Sequence, residues 1–155
     1  MKYFQTLLGL VLFLIVLHGC DNQPSTEEQA QIDQLRIEEY VQANNLVGEY
    51  TEDGIFYRIS SGADTAAASP GLGDSLYMEY TGSFLNDEVF DRSEGPDSLA
   101  LSRTIEGWRL ILPLFNEGSE GYFIVPSEAA YGPTGFSIIP PNTVLRFDIR
   151  LIEVY

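Results

Sequence analysis

The clearest pattern of apolar and polar residues lies near the end of the chain. Every second position of residues 145–151 is apolar, and the positions between them hold Arg146, Asp148 and Arg150. The apolar residues are Leu145, Phe147, Ile149 and Leu151. A period of two is typical of a strand with one face in the core and the other in solvent. Residues 145–151 are therefore predicted to form a half-buried strand.

Weaker patterns predict further strands and the turns between them. Residues 75–80 alternate in the same way, and residues 122–125 form a short apolar run. The dipeptide Asp53-Gly54 is a turn signal between Glu49-Tyr50 and a predicted strand over residues 55–59. Residues 60–71 are mostly serine, alanine, glycine and proline, which favours a surface loop.

Two segments are predicted to be helical. Residues 107–115 are rich in leucine and isoleucine, and Pro113 within them limits the helix to a short or kinked one. Residues 26–29 match a capping box, in which the Thr26 hydroxyl and the Gln29 side chain serve free amides, and this helix is predicted to end near Asn44. Its diffuse apolar stripe predicts weak docking or a spacer, not a coiled coil. Several antiparallel strands and one core helix predict an α+β domain over residues 49–155.

The first twenty residues have the pattern of an export signal. A basic start at Lys2 precedes an uncharged apolar run over residues 7–17, which is too short to cross a bilayer comfortably. The run ends in Gly19-Cys20 and turns polar, which resembles the bacterial lipoprotein signal with its lipidated cysteine. We therefore expect a signal peptide over 1–19, a lipid anchor at Cys20, and a tether with the N-terminal helix over 20–48. An uncleaved N-terminal anchor is the alternative.

The composition excludes several classes of protein. The chain has 8 Lys and Arg against 23 Asp and Glu, a formal charge of −15, so it would repel a nucleic-acid backbone. The single histidine, His18, and the single cysteine, Cys20, both lie in the leader. Once the leader is removed, histidine-based triads, catalytic thiols and histidine-ligated metals are excluded. We expect neither a metal nor another cofactor.

Several fragments of the chain carry a recognisable family pattern. Residues 73–82 read GDSLYMEYTG, residues 89–93 VFDRS, and residues 104–108 TIEGW with a glycine ten positions further on; residues 124–132 read IVPSEAAYG and 138–148 IIPPNTVLRFD. In this order and spacing they resemble the FKBP-type peptidyl-prolyl isomerases, the immunophilins that bind macrolides, over roughly residues 70–155. The resemblance implies a strongly bent antiparallel sheet, a half-barrel, wrapped around one short α-helix, with an apolar pocket between them.

The same resemblance implies roles for individual residues. Trp108 would form the pocket floor, Asp91 the acid at its edge, and Tyr131 the hydroxyl that bonds the substrate backbone. The backbone amide of Ile105 would be a second donor, and Arg92 or Arg103 would pair with the acid. The remaining implied pocket residues are the walls Tyr80, Phe90 and Phe147, with either Leu99 or Leu101 in place of an aromatic wall, the neighbours Thr104 and Ala130, and the flap residues Ile138 and Ile139.

This kind of pocket is suited to rotation about an X–Pro bond. The amide must pass through a twisted state that has lost its resonance, at a barrier of about 18–20 kcal/mol. The twisted amide is less polar than the planar one, so a dry aromatic pocket favours it over the solvated ground state. The reaction requires neither a nucleophile nor a metal, which agrees with the composition.

The expected function is peptidyl-prolyl cis-trans isomerisation during the folding of exported proteins, where slow proline isomerisation limits the rate. The expected partners are proline-containing polypeptides and macrolide inhibitors, together with a cell-envelope membrane that holds the lipid anchor. One helix with a diffuse stripe predicts a monomer. The alternative function is a non-catalytic binding module, or a holdase, that uses the same pocket.

Overall fold

The structure contains the predicted helices and strands in the predicted order, and it adds further short strands. The structure is a computed structural model that describes residues 24–62, 64 and 66–155, so the predicted signal peptide and Cys20 lie outside the described residues. The helices and strands are α1 Thr26–Ala43, β1 Glu49–Tyr50, β2 Phe56–Ser61, β3 Ser75–Phe84, β4 Val89–Arg92, β5 Asp97–Ala100, α2 Glu106–Ile111, β6 Glu120–Val125 and β7 Leu145–Val154.

The strands form one antiparallel sheet with two long central members. The order is β1-β2-β6-β7-β3-β4, and β5 also pairs with β3. The ten-residue strands β3 and β7 pair along their whole length, and β3 changes register after Tyr77 and after Gly82. Such irregularities bend a strand and increase its twist. The bent sheet wraps around α2, which confirms the predicted α+β class with a sheet around one short helix.

Alternation along the strands divides the apolar side chains between the two faces of the sheet. In β6, Phe123 and Val125 belong to the main core around α2, while Ile124 belongs to a second cluster with residues of α1. In β7 the four apolar residues of 145–151 all lie in the main core. The predicted half-buried strand is confirmed, and it continues to Val154.

The core helix is short because Pro113 follows it, as predicted from the sequence. Regular α-helix ends at Ile111, and Pro113 lies in a 3₁₀ turn over Leu112–Leu114 that follows it. Gly107 allows α2 to approach the sheet closely, because a Cβ at this position would lie 2.4 Å from Cγ1 of Val125. The predicted short core helix is therefore confirmed, and it packs closely against β6.

The N-terminal helix differs from the prediction at its start, and its packing decides between two predicted alternatives. Its capping box lies one residue earlier, because the Ser25 hydroxyl accepts from the Glu28 N–H and the Glu28 carboxylate accepts from the Ser25 N–H. Of the two predicted alternatives, docking and a spacer, the structure shows docking on the sheet, since Ile37 and Tyr40 are buried in the second cluster. The stripe looked diffuse because the polar Gln29 and Asp33 are buried as well.

None of the helices within residues 24–62, 64 and 66–155 has the length and hydropathy needed to cross a membrane.

Candidate functional site

An open cavity of about 310 Å³ lies between α2, the concave face of the sheet and the loops after β5 and β6. Most of its wall is aromatic or aliphatic, and the polar groups are few. The residues that line it are Tyr80, Phe90, Asp91, Leu99, Arg103, Thr104, Ile105, Trp108, Tyr131, Phe136 and Phe147. The structure thus brings together nine of the residues proposed from sequence for catalysis or binding.

The floor of the cavity is the indole of Trp108. This residue is only 4% exposed, and three aromatic rings meet its indole edge to face. The ring centroids of Phe147, Tyr80 and Phe123 lie 5.2, 5.3 and 6.0 Å from that of Trp108, with interplanar angles of 83–87°. Edge-to-face contacts of this kind hold a ring in a fixed plane. The indole therefore offers a rigid apolar surface to a ligand.

One hydroxyl–carboxylate pair lies at the edge of this floor. The Tyr80 hydroxyl donates to Oδ2 of Asp91 at 2.9 Å, because β4 places Asp91 opposite Gly82 of the neighbouring strand. Burial, followed by the hydrogen bond and the negative charge of Asp91, raises the pKa of Tyr80 to about 12. Tyr80 is therefore a neutral hydroxyl at physiological pH, and its hydrogen bond orients the acid.

A glycine makes room for the wall beside that pair. A Cβ on Gly82 would lie 2.6 Å from Cζ of Phe90 and 3.0 Å from Cε1 of Phe147. These two rings meet edge to face, with centroids 5.8 Å apart. The glycine of the YTG motif thus lets the two rings pack over β3 and form one wall of the cavity.

Two hydrogen-bond donors at the rim have no partner among the described residues. Ile105 precedes the first turn of α2; its carbonyl accepts from Trp108 and Arg109, but its own N–H donates to no described group. The Tyr131 hydroxyl likewise makes no hydrogen bond within the described part of the chain. Burial, and then the charge of Asp91, raises the pKa of Tyr131, which keeps this group a donor. Both can bond to the backbone of a ligand.

The structure separates the two leucines that sequence left as alternatives. Leu99 lines the cavity from β5, whereas Leu101 is fully buried in the main core. The difference arises because β5 ends at Ala100 and the chain enters a 3₁₀ turn over Leu101–Arg103. Leu101 is therefore a core residue, and the proposed wall position belongs to Leu99.

Three other proposed binding residues lie outside the lining of the cavity. Ala130 is half-buried at the edge of the core, where its N–H donates to the Ser127 carbonyl. Ile139 is buried in the core, while Ile138 is 65% exposed. Phe136 of the same loop lines the cavity, and its ring stacks on Tyr131 with centroids 5.3 Å apart. Sequence reasoning missed Phe136 as a site residue.

The local backbone explains why Phe136 faces the cavity. Gly135 and Ser137 both have positive φ values, of 65° and 52°, so the chain reverses sharply around Phe136. Phe136 and Ile139 then exchange backbone hydrogen bonds of 3.0 and 2.8 Å. The only signal in the sequence was an aromatic residue directly after a glycine in a proline-rich loop.

The expected arginine partner of Asp91 is absent from the described residues. The ion pairs found there involve Arg36, Arg146 and Arg150, so neither Arg92 nor Arg103 fills that role. Arg103 lines the cavity without an ion pair in the described chain. Asp91 is held by the Tyr80 hydroxyl instead. Within the same residues, no group of three His, Cys, Asp or Glu side chains could hold a metal ion.

Comparisons with known proteins agree with this geometry. The sequence profile of a family described as FKBP-type peptidyl-prolyl cis-trans isomerase matches residues 66–152. FK506-binding protein 1 of Saccharomyces cerevisiae is 36% identical over 103 residues, which cover 63% of this chain and 89% of the yeast protein. The FKBP-type isomerase FkpA of Aeromonas hydrophila is 32% identical over 133 residues, covering 83% of this chain but only 49% of that protein.

A solved structure has the same architecture. The crystal structure of FkpA from Escherichia coli superposes with a TM-score of 0.70 at 27% identity, and the match covers 83% of this chain and 62% of that one. The family profile spans more than half of the 155 residues. Together with the coverage of the yeast relative, this match shows that the chain belongs to the FKBP-type peptidyl-prolyl cis-trans isomerases.

Proposed function

We propose that the aromatic cavity binds X–Pro segments of polypeptides and accelerates their cis-trans isomerisation by stabilising the twisted amide. The observation that carries this proposal is the arrangement of two donors without a partner among the described residues, the Ile105 N–H and the Tyr131 hydroxyl, around the indole of Trp108. The donors hold the peptide backbone on one side, while the proline ring rests on an apolar surface that imposes no polar contact on the rotating amide.

The apolar cavity favours rotation because the amide becomes less polar as it twists. A planar amide is well solvated by water, whereas the twisted amide has lost resonance and much of its dipole. An apolar, water-excluding site therefore binds the twisted state more strongly than the ground state. A differential of about 4 kcal/mol gives roughly a thousandfold acceleration, because each 1.36 kcal/mol corresponds to a factor of ten.

A protease-coupled assay on a short X–Pro peptide tests the role of the donors. Tyr131→Phe removes one hydroxyl and keeps the ring, so kcat/KM is expected to fall about three- to tenfold, the value of one modest hydrogen bond. Tyr77→Phe is the matched control, since Tyr77 lies on β3 outside the cavity and is 37% exposed. Equal activity of both variants would contradict the proposed role of Tyr131.

The second candidate function is a non-catalytic binding module or holdase. Two observations favour it: Asp91 has no arginine partner within the described residues, and the aliphatic Leu99 forms part of the wall. In that case an X–Pro peptide would bind and quench or shift the Trp108 fluorescence, but its isomerisation rate would be unchanged.

The same cavity is proposed to accept macrolides, and competition with the peptide would measure macrolide binding.

We further propose that the protein acts on exported polypeptides at the bacterial cell envelope. The leader pattern supports this location, as does the likeness to the protein named outer membrane protein MIP of Legionella longbeachae, which is 37% identical over 105 residues. Radiolabelled palmitate should enter the full chain during expression in bacteria and should not enter Cys20→Ser. Labelling of both would overturn the lipid anchor at Cys20.

We also propose that the protein is a monomer, and light scattering is expected to give the mass of a single chain.

A further inference from the structure

The helix α1 contacts the loop that carries Tyr131 through a buried carboxylate. Asp33 is 1% exposed, and its Oδ2 accepts from the backbone N–H of Ser127 at 2.8 Å. Its Oδ1 accepts from Nε2 of Gln29 at 2.7 Å, one turn earlier on the helix. Ser127 begins the 3₁₀ turn Ser127–Ala129, and Tyr131 follows two residues after that turn. One side chain of α1 therefore fixes the backbone just before the rim donor.

A second polar residue of α1 holds the other end of the same loop. Nη1 of Arg36 donates to the Asn142 carbonyl at 3.0 Å and lies 3.5 Å from Oδ1 of Asp33. The Asn142 N–H in turn donates to the Gly132 carbonyl at 2.9 Å. We call residues 127–142 the site loop, since this segment contains both Tyr131 and Phe136. Asp33 and Arg36 thus contact its two ends.

Packing alone does not require these polar contacts. Ile37 and Tyr40 already dock α1 on the sheet through the second cluster with Phe56, Ile124 and Val144. A buried carboxylate is costly unless it is fully hydrogen-bonded, so burying Asp33 is by itself weak evidence for stability. Its two hydrogen bonds, to the Ser127 N–H and to Gln29, are what tie it to a defined backbone position. The role that fits Asp33 is to select one backbone position for Ser127.

We propose that Asp33 and Arg36 are positioning residues for peptidyl-prolyl isomerisation, and that α1 holds the site loop in the conformation that places Tyr131 at the rim above Trp108. The inference rests on the proposed function of the cavity. The Tyr131 hydroxyl has no hydrogen-bond partner within the described chain, so its position depends on the backbone that carries it and on the stacking of its ring on Phe136, which belongs to the same site loop. Small displacements of a substrate-binding donor reduce catalysis strongly.

The test uses the purified full chain and two substitutions of Asp33. Asp33→Ala removes the acceptor of the Ser127 N–H and is expected to lower kcat/KM for an X–Pro peptide about tenfold. Asp33→Asn loses the ion pair with Arg36, but it keeps one side-chain oxygen for the Ser127 N–H, and the Gln29 amide can turn to accept from the new NH₂. This conservative variant is therefore expected to recover most of the lost activity.

Two control variants separate positioning from docking and from charge. Tyr40 lies on the same helix, and its hydroxyl forms hydrogen bonds with Asp87 and Arg146, away from the site loop. Tyr40→Phe removes that hydroxyl and should lower stability without changing kcat/KM. Glu39→Gln removes an exposed carboxylate of α1 and should change neither. If Asp33→Ala does not fold, Arg36→Gln replaces it, with an expected loss of about threefold.

Amide hydrogen exchange provides a readout that does not depend on activity. The Ser127 amide is expected to exchange at least about tenfold faster in Asp33→Ala than in the wild type, and at the wild-type rate in Tyr40→Phe. Full activity and an unchanged Ser127 amide in a folded Asp33→Ala chain would overturn the positioning role. An inactive wild type with the predicted change in exchange would instead overturn the proposed function and leave the contact between α1 and the site loop established.

Discussion

The two faces of the sheet carry helices that dock in different ways. On the concave face, α2 packs through apolar residues, and the aromatic rings around Trp108 meet edge to face beside an open cavity. On the convex face, α1 combines Ile37 and Tyr40 with the buried carboxylate of Asp33. The apolar face can therefore receive a ligand, whereas the polar contacts of the other face fix the backbone of a loop.

The largest expected effect follows from removing the cavity floor. Trp108→Ala deletes the indole on which the proline ring would rest, so kcat/KM should fall by a factor of about one hundred or more. The loss of a buried aromatic side chain should also destabilise the chain by about 3–5 kcal/mol. Peptide assays and urea unfolding measure the two effects. Trp108→Leu keeps an apolar surface, and its activity should lie between those of the wild type and Trp108→Ala.

The next effect concerns the close approach of α2 to β6. Gly107→Ala places a methyl group where a Cβ would lie 2.4 Å from Val125, and such overpacking typically costs about 1–3 kcal/mol. Gly95→Ala is the matched control, because a Cβ at that position would have no atom within 4 Å among the described residues. Thermal unfolding of both variants gives the comparison, and equal melting temperatures would show that α2 does not need this contact.

A smaller effect is expected on the convex face. Ile37→Val removes one methylene from the second cluster, which should reduce the free energy of unfolding by about 0.5–1.5 kcal/mol. Since the polar contacts of α1 remain, kcat/KM should be unchanged. A loss of activity in this variant, measured on the fully folded chain, would show that the apolar part of α1 also determines the position of the site loop.

The smallest effect is a pH dependence from Tyr80. Its pKa of about 12 in the folded chain exceeds the ordinary value of 10.0, so folding favours the protonated hydroxyl. This contribution to stability is complete below about pH 10 and is lost as the pH rises towards about 12. The difference in unfolding free energy between the wild type and Tyr80→Phe should therefore shrink over this range. A constant difference would contradict the raised pKa of Tyr80 in the folded chain.

Sequence patterns predicted the elements whose side chains alternate between core and solvent. The strand around Phe147 was clear because every second residue of 145–151 in β7 lies in the main core. The burial of Asp33 and Gln29 was not predictable, because hydropathy assigns such polar side chains to solvent, and their burial made the apolar stripe of α1 look diffuse. Its cap was misplaced by one residue because Ser25 and Thr26 offer the same hydroxyl, and only the bond to Glu28 distinguishes them.

The candidate site was predictable where it lies on regular elements. Residues on β3, β4, α2 and β7 line the cavity as the family resemblance implied. The open or unmatched positions fall in irregular segments. Leu101, one of the two alternatives for the wall, turns into the core after β5 ends, and Phe136 lines the cavity where Ile138 and Ile139 do not. Positive φ values at Gly135 and Ser137 set the direction of that loop, and alternation rules do not apply to such backbone.

The most direct test is exchange NMR on an X–Pro peptide mixed with a small fraction of the purified chain. Exchange cross-peaks between the cis and trans forms are expected with the wild type and should be lost with Trp108→Ala. Uncatalysed exchange takes tens of seconds or longer, so cross-peaks on a shorter mixing time require catalysis. Peptide resonances that shift on binding without any exchange between the two forms would contradict the account and identify a binding module.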